Sequence, residues 1–308
     1  MTTNRLRLLV TGAAGFIGSH AAGLAAARGY DVHGVDLTSA SGRMPDGVSD
    51  HRIADGGLPS MIAELRPDIC ILAAGRASVG ESVADPAPDF KSGPALTFAL
   101  LDTLRRHAPA CRTLFISSAA VYGNPERLPV SEDASAAPIS PYGFHKLQCE
   151  MLCREFTAVY GMKTAVVRLF SAYGEGLRRQ VLWDICRKIL CEGRLELMGT
   201  GEETRDFLHV QDIAVGLLQV VDRAPMAAEP YNLASGCAVN IRDLAGMLSS
   251  ALGVRITPEF SGVAPAGDPL HWRGDSTRMR ALGFAPQIPL ESGIKAYASW
   301  ARRQLLGG

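Results

Sequence analysis

The sequence predicts an α/β chain: a doubly wound parallel sheet in the first half, then a smaller mixed α/β lobe. Three observations predict it. Short apolar runs alternate with helical stretches as far as about residue 170. A glycine-rich turn joins the first run to the first helix. Beyond about residue 171 the alternation loosens, and Pro and Gly become frequent after 253. Strands regularly separated by helices imply right-handed crossovers between parallel neighbours.

Taken in order, residues 5–10 ("RLRLLV") read as a strand and 16–29 as a helix closed by Gly29. Residues 30–36 form a second strand and 51–55 a third. A helix over 58–66 leads to a buried strand at 68–74. Residues 88–108 are mainly helical, with a bend expected at Pro94. A strand over 112–118, a long helix over 142–160 and a strand over 163–170 complete the first unit. Helices follow at 180–192, 210–221 and 240–252, with strand-like pieces at 194–198 and 231–235 between them. The expected division is 1–171 and 172–308, with some later segments returning to the first unit.

Composition narrows the function. The 308 residues are 47% hydrophobic, enough for a large core, and 31 basic side chains balance 31 acidic ones. Nothing points to nucleic acid or to an anionic membrane as the main partner. No apolar run approaches the length of a bilayer span. The start, "MTTNRLRLLVTGAAG", lacks the apolar core of a signal peptide, so a cytoplasmic protein is expected. Seven scattered cysteines without a C-x-x-C pair argue against a disulfide framework and against a structural metal. Cys149 and Cys153 are expected as buried small hydrophobes.

"LLVTGAAGFIGSH" places Gly12, Gly15 and Gly18 between a strand and a helix. Such glycines permit positive φ and let a pyrophosphate approach the backbone, where the helix N-terminus holds it. Asp36 ends the second strand, where a carboxylate accepts hydrogen bonds from an adenosine ribose. The pattern is that of a Rossmann-like dinucleotide site. A carboxylate repels a 2′-phosphate, so NAD is favoured over NADP; Arg43, in the loop beyond, is the residue that would alter this. Asp55, at the end of the third strand, is placed to reach the adenine.

Tyr142 and Lys146 in "SPYGFHKLQCE" stand four apart, on one helix face. A free tyrosine has a pKa near 10, so about one in a thousand is ionised at pH 7. A neighbouring ammonium and an oxidised nicotinamide both favour the phenolate, which makes Tyr142 a candidate acid/base. Ser117 and Ser118 close the strand over 112–118, at the carboxyl edge of the sheet where ligands of such folds bind.

On these residues the chain resembles the extended short-chain dehydrogenase/reductases that act on nucleotide sugars. The resemblance spans nearly the whole sequence: "TGAAGFIG", Asp36, "LAAGRASVGESVADP", "FISSAAVYG", "SPYGFHK", "VRLFSAYGEG", "GTGEETRDFLHVQDIA", "YNLAS" and "ALGFAP". It implies Ser118, Tyr142 and Lys146 as the catalytic set. The implied cofactor set is Gly12, Gly15, Phe16, Ile17, Gly18, Asp36, Asp55, Ala73, Tyr142 and Lys146. The implied substrate set is Ser78, Ser118, Ser171, Arg178, Arg179, Arg205 and Arg273. A homodimer through residues 88–108 and 142–160 is implied as well. The chain departs from the family pattern at Ile71, where a histidine is usual, and at Gly93 and Ser171, where asparagine is usual. The arginine expected upstream of Asp268 is also missing. Arg273, Arg178 and Arg179 are the candidates to replace it, and without an ion partner such as Asp206 or Glu203, Arg205 would meet the nucleotide end of the substrate.

The reaction expected is a nucleotide-sugar 4-epimerisation. Tyr142 would take the proton of the sugar hydroxyl while hydride passes to NAD, and the 4-keto sugar would turn before hydride returns to its other face. A 4,6-dehydratase is disfavoured because Ala119 and Ala120 follow Ser118, where related dehydratases carry acids. The alternatives are an NAD(P)H-dependent reductase of a 4-keto-6-deoxy nucleotide sugar, and a non-catalytic dinucleotide sensor on the same fold.

Overall fold

Fully buried apolar strands form the centre of the protein, and their order sets the position of everything else. The computed structural model describes residues 5–37, 42, 44–53, 57–264 and 266–307; Arg43 and Asp55 lie outside them. Strand β1 (Arg7–Thr11) leads through helix α1 (Phe16–Ala27) to β2 (Asp31–Leu37). Then come β3 (Val48–Ile53), α2 (Leu58–Leu65), β4 (Ile69–Leu72), α3 (Val79–Ala84), α4 (Pro86–Phe90) and α5 (Leu96–His107). β5 (Arg112–Ser118) is followed by the 3-10 turn Ala119–Tyr122, the long α6 (Pro141–Tyr160) and β6 (Lys163–Leu169).

The chain then builds the second lobe. It runs through β7 (Ser171–Tyr173), α7 (Gln180–Arg187), β8 (Glu196–Leu197), β9 (Thr204–His209), α8 (Val210–Arg223) and β10 (Ala227–Leu233). β11 (Ala238–Asn240), α9 (Ile241–Ala251), β12 (Glu259–Phe260), α10 (Thr277–Ala281) and α11 (Leu290–Leu306) follow.

The main sheet has the order β10-β6-β5-β4-β1-β2-β3, with every pairing parallel. The order reverses between β1 and β4. That is the point at which open parallel sheets leave a crevice beyond their carboxyl edge. β10 lies far along the chain yet pairs with β6 from Ala227 to Leu233, and α8 packs on α1. The second lobe is therefore left and re-entered. Its own parts are the sheet β11-β9-β7, the pair β12-β8, and a separate core under α7, α9 and α11.

Local differences from the sequence expectation have physical causes. The third strand begins at Val48, because β2 supplies partners from Val32 onward. The helix expected over 88–108 is divided by a π stretch, Lys91–Ala95, that contains Pro94. Proline has no N–H, and its ring displaces the carbonyl four residues back; a wider turn absorbs both. A second π stretch, Lys188–Glu192, extends α7 and stops at Gly193, whose φ is 68°. Cys149 and Cys153 are fully buried and unpaired. Among the described residues no helix is long and apolar enough to cross a membrane.

His209 joins the lobes chemically as well as in sequence. It is the N-cap of α8, its Nδ1 accepting from the Gln211 N–H, and its Nε2 faces the Glu175 carboxylate at 3.3 Å. Burial pushes its pKa below the ordinary value, because the neutral ring is the form that fits. The folded pKa being depressed, this stabilisation is complete above about pH 6.5 and is lost as pH falls through the folded value. In His209→Asn, which retains a capping side chain, the loss of stability between pH 7 and pH 5 is expected to be smaller than in the wild type. Urea midpoints at the two pH values measure it.

Candidate active site

The carboxyl edge of the sheet opens into a cleft of about 740 Å³, walled by the glycine turn and β-strand ends on one side and by β7, α7 and β9 on the other. The glycine turn is built for close approach. Gly12 has a φ of 67°, and a Cβ there would stand 2.8 Å from the Ala74 backbone. A Cβ on Gly18 would stand 2.2 Å from the Gly12 carbonyl. Gly15 caps α1 without a side chain, so the first N–H groups of α1 receive no side-chain cap. That is the arrangement a diphosphate completes. Asp36, near the end of β2, is not among the lining residues of the cleft but is tied to the glycine turn, its Oδ2 accepting from the Ala14 N–H at 3.0 Å and its Oδ1 from Leu37 at 2.9 Å. Each oxygen keeps a further lone pair for a ribose hydroxyl. Phe16, Ile17 and Ala73 also line the cleft. The residues present fit a dinucleotide.

Tyr142, Lys146 and Ser118 all line the same cleft. Ser140 starts α6 by accepting the Gly143 N–H, and Pro141 occupies the first turn, where its missing N–H costs nothing. Tyr142 follows; its backbone N–H donates to Ser82 Oγ of α3 at 3.1 Å. One turn on, the Lys146 ammonium donates to the Ile116 carbonyl at 2.9 Å and lies 5.7 Å from the centre of the Tyr142 ring. Its remaining donors are available to a ribose hydroxyl.

The two serines have separate fates. Ser117 Oγ donates to buried Glu150 at 2.6 Å. Ser118 Oγ accepts from the Ala120 N–H at 3.1 Å, which leaves its own proton to donate into the cleft. Gly143 makes this geometry possible. A Cβ there would stand 2.6 Å from the Ala120 carbonyl, so the first turn of α6 can lie against the turn after Ser118 only without a side chain.

The substrate candidates divide. Ser78 lines the cleft while its Oγ caps α3, accepting from Glu81. Ser171, Arg179 and Arg205 also line it. Arg178 and Arg273 stand outside: Arg178 reaches Gln304 of α11, and Arg273 donates to the Gly236 carbonyl at 2.9 Å. The ion partner of Arg205 is Asp268, at 3.3 Å, with the guanidinium 5.4 Å from the centre of the Trp272 ring. The adjacent Asp206 is spent elsewhere. It is fully buried and accepts from Ser235, Gly236 and Gly274. Burial lowers the Arg205 pKa, with Asp268 working against the shift, and an incoming anion would relieve the same cost.

Sequence reasoning passed over Ser82, Gly143 and Trp272, and took Asp268 only as the landmark of a missing arginine. Of these only Gly143 carried a local signal, a helix-weak residue inside a helical run. Of the departures from the family pattern, Ile71 is fully buried in the core and Gly93 lies in the π stretch.

The sequence profile of the NAD dependent epimerase/dehydratase family matches residues 8–234. The chain belongs to that family. A UDP-glucose 4-epimerase of Azospirillum brasilense is 30% identical over 96% of this chain and 92% of its own length. The solved UDP-glucose 4-epimerase of Thermotoga maritima with UDP-glucose superposes with a TM-score of 0.89 at 28% identity, covering 97% of this chain and all of that one. The UDP-glucose 4-epimerase of Thermus thermophilus in complex with NAD gives 0.88 at 27%, covering 96% and 99%. As a member of this family the chain uses NAD.

Gly143→Ala should leave the fold and NAD content intact while lowering kcat about a hundredfold, since a misplacement of about 1 Å between reacting groups costs that much. Circular dichroism, bound-nucleotide assay and turnover measured on one preparation check it.

Proposed function

We infer that the chain interconverts the C4 epimers of a UDP-linked sugar. The observation that carries this reading is the convergence of Ser118, Tyr142 and Lys146 on a cleft whose other wall presents Arg205. NAD supplies, when bound, a nicotinamide that takes hydride from the sugar carbon and gives it back. The chain's residues do the rest. Tyr142 takes the proton of the 4-hydroxyl and later returns it; the Lys146 ammonium favours the phenolate between those events. The Ser118 hydroxyl donates to the same sugar oxygen and holds it towards Tyr142. Arg205 and Arg179 hold the diphosphate, so the 4-keto sugar can turn without leaving. Directly after Ser118 the chain carries Ala119 and Ala120 rather than acids, which suits epimerisation better than the elimination of water.

The reading extends to assembly and compartment. Phe98 on α5, and Phe144 and Met151 on α6, are 48%, 51% and 61% exposed. Apolar groups so exposed on adjacent helices are the mark of an interface, and a homodimer through α5 and α6 covers them. All seven cysteines are free thiols, which suits the reducing cytoplasm.

Two outcomes test the reading. The purified protein incubated with UDP-glucose, UDP-galactose and their N-acetyl and uronate counterparts should interconvert one pair without added reductant, and Tyr142→Phe should lose about 10²–10⁴-fold in kcat. Consumption of NADPH in step with product would instead indicate a reductase, and bound NAD without turnover on any sugar a sensor. Separately, Met151→Lys should convert a dimer to a monomer in analytical ultracentrifugation; an unchanged mass would place the interface elsewhere.

A further inference from the structure

Arg168 lies in β6 with 3% of its surface exposed. Its Nε and Nη2 donate to the Glu150 carboxylate at 3.0 and 2.8 Å. Its Nη1 donates to the Tyr122 hydroxyl at 2.9 Å and to the Glu132 carbonyl at 3.1 Å. Two of these partners, Glu150 and Tyr122, belong to the two arms of the site. Glu150 stands on α6 eight residues after Tyr142 and four after Lys146, on the same helix face. Tyr122 closes the 3-10 turn that begins directly after Ser118. Its hydroxyl donates to the Asn232 side-chain oxygen of β10 at 2.7 Å, and burial pushes its pKa up to about 12. It is a neutral phenol held in the core.

We propose that Arg168 is a positioning residue: one guanidinium that refers the Ser118 turn and the Tyr142–Lys146 helix to a single point of the sheet, and so sets the distance between them. A planar fork with five donors can bind both arms at fixed angles, which an ammonium cannot. Stability alone gives no reason for the pair, because buried ion pairs can be replaced by apolar residues of similar size at little or no loss. Neither Arg168 nor Glu150 lines the cleft, so both act through Ser118 and Tyr142. A separate bond, Ser117 Oγ donating to Glu150 at 2.6 Å, ties the same carboxylate to β5 one residue before Ser118.

The proposal rests on the epimerase reading for its rate measurement. The double variant Arg168→Met/Glu150→Leu removes both charges together, and Arg168→Lys keeps the charge but loses the fork. Each is measured for kcat, for KM with the UDP-sugar, for bound NAD and for crystal structure. The expected result is a kcat ten- to a hundredfold lower, with KM within about threefold and NAD content unchanged. The first turn of α6 should be displaced relative to the Ser118 turn. A double variant that turns over at the wild-type rate, or whose Ser118 and Tyr142 superpose on the wild type, overturns the proposal. If the double variant does not fold, Arg168→Lys decides on the same readings. Failure of both to fold shows that the pair holds the fold rather than the site, and overturns it too. A wild type inert on every UDP-sugar would strike the epimerase reading alone, and the crystallographic comparison would still decide this one.

Discussion

The proposed chemistry depends on how closely the first turn of α6 lies against the turn that follows β5. Beside the buried Arg168 fork, two contacts at the site itself bear on that approach. The Lys146 ammonium is bonded to the Ile116 carbonyl, and Gly143 allows the Ala120 carbonyl to come nearer than any side chain would permit. With those in place, the phenol of Tyr142 and the hydroxyl of Ser118 share one cleft. The Lys146 ammonium stands one helical turn along from that phenol, 5.7 Å from the centre of its ring.

The remainder of the fold serves this arrangement. The reversal of strand order between β1 and β4 opens the crevice, and the glycine turn leaves its backbone bare at the rim, as close approach of a dinucleotide would require. The second lobe is tied back through β10 and α8, so its cleft-facing residues are held against the sheet by continuous structure rather than by a flexible linker. Arg205 waits there in an ion pair with Asp268. A diphosphate that displaces Asp268 would exchange one anionic partner for another, so the arginine need not be buried uncompensated in either state.

Much of this was legible in the sequence, and the reason is locality. The glycine turn, Asp36, Ser118 and the Tyr142–Lys146 spacing each depend on a few residues and on the period of one element. What was not legible depends on direction and distance. Arg178 and Arg273 carry the right charge near the right motifs, but sequence does not show that they turn to Gln304 and Gly236. Ser82 meets the Tyr142 backbone across 60 residues of chain, and Asp268 meets Arg205 across 63. The period of β10 is the same whichever sheet it joins, so its place beside β6 could not be read from residues 227–233 alone. Pro94 announced a bend; that the helix would answer with a π stretch was a matter of packing.

The account's central claim is that the phenol of Tyr142 meets the sugar's reacting hydroxyl beside the cofactor. A crystal structure with NAD and a UDP-sugar bound tests it most directly. The account predicts the Tyr142 hydroxyl within about 3.2 Å of the sugar O4, with Ser118 on the same oxygen and Lys146 on the ribose. A sugar whose O4 faces away from Tyr142 while the nucleotide occupies the second lobe would contradict it.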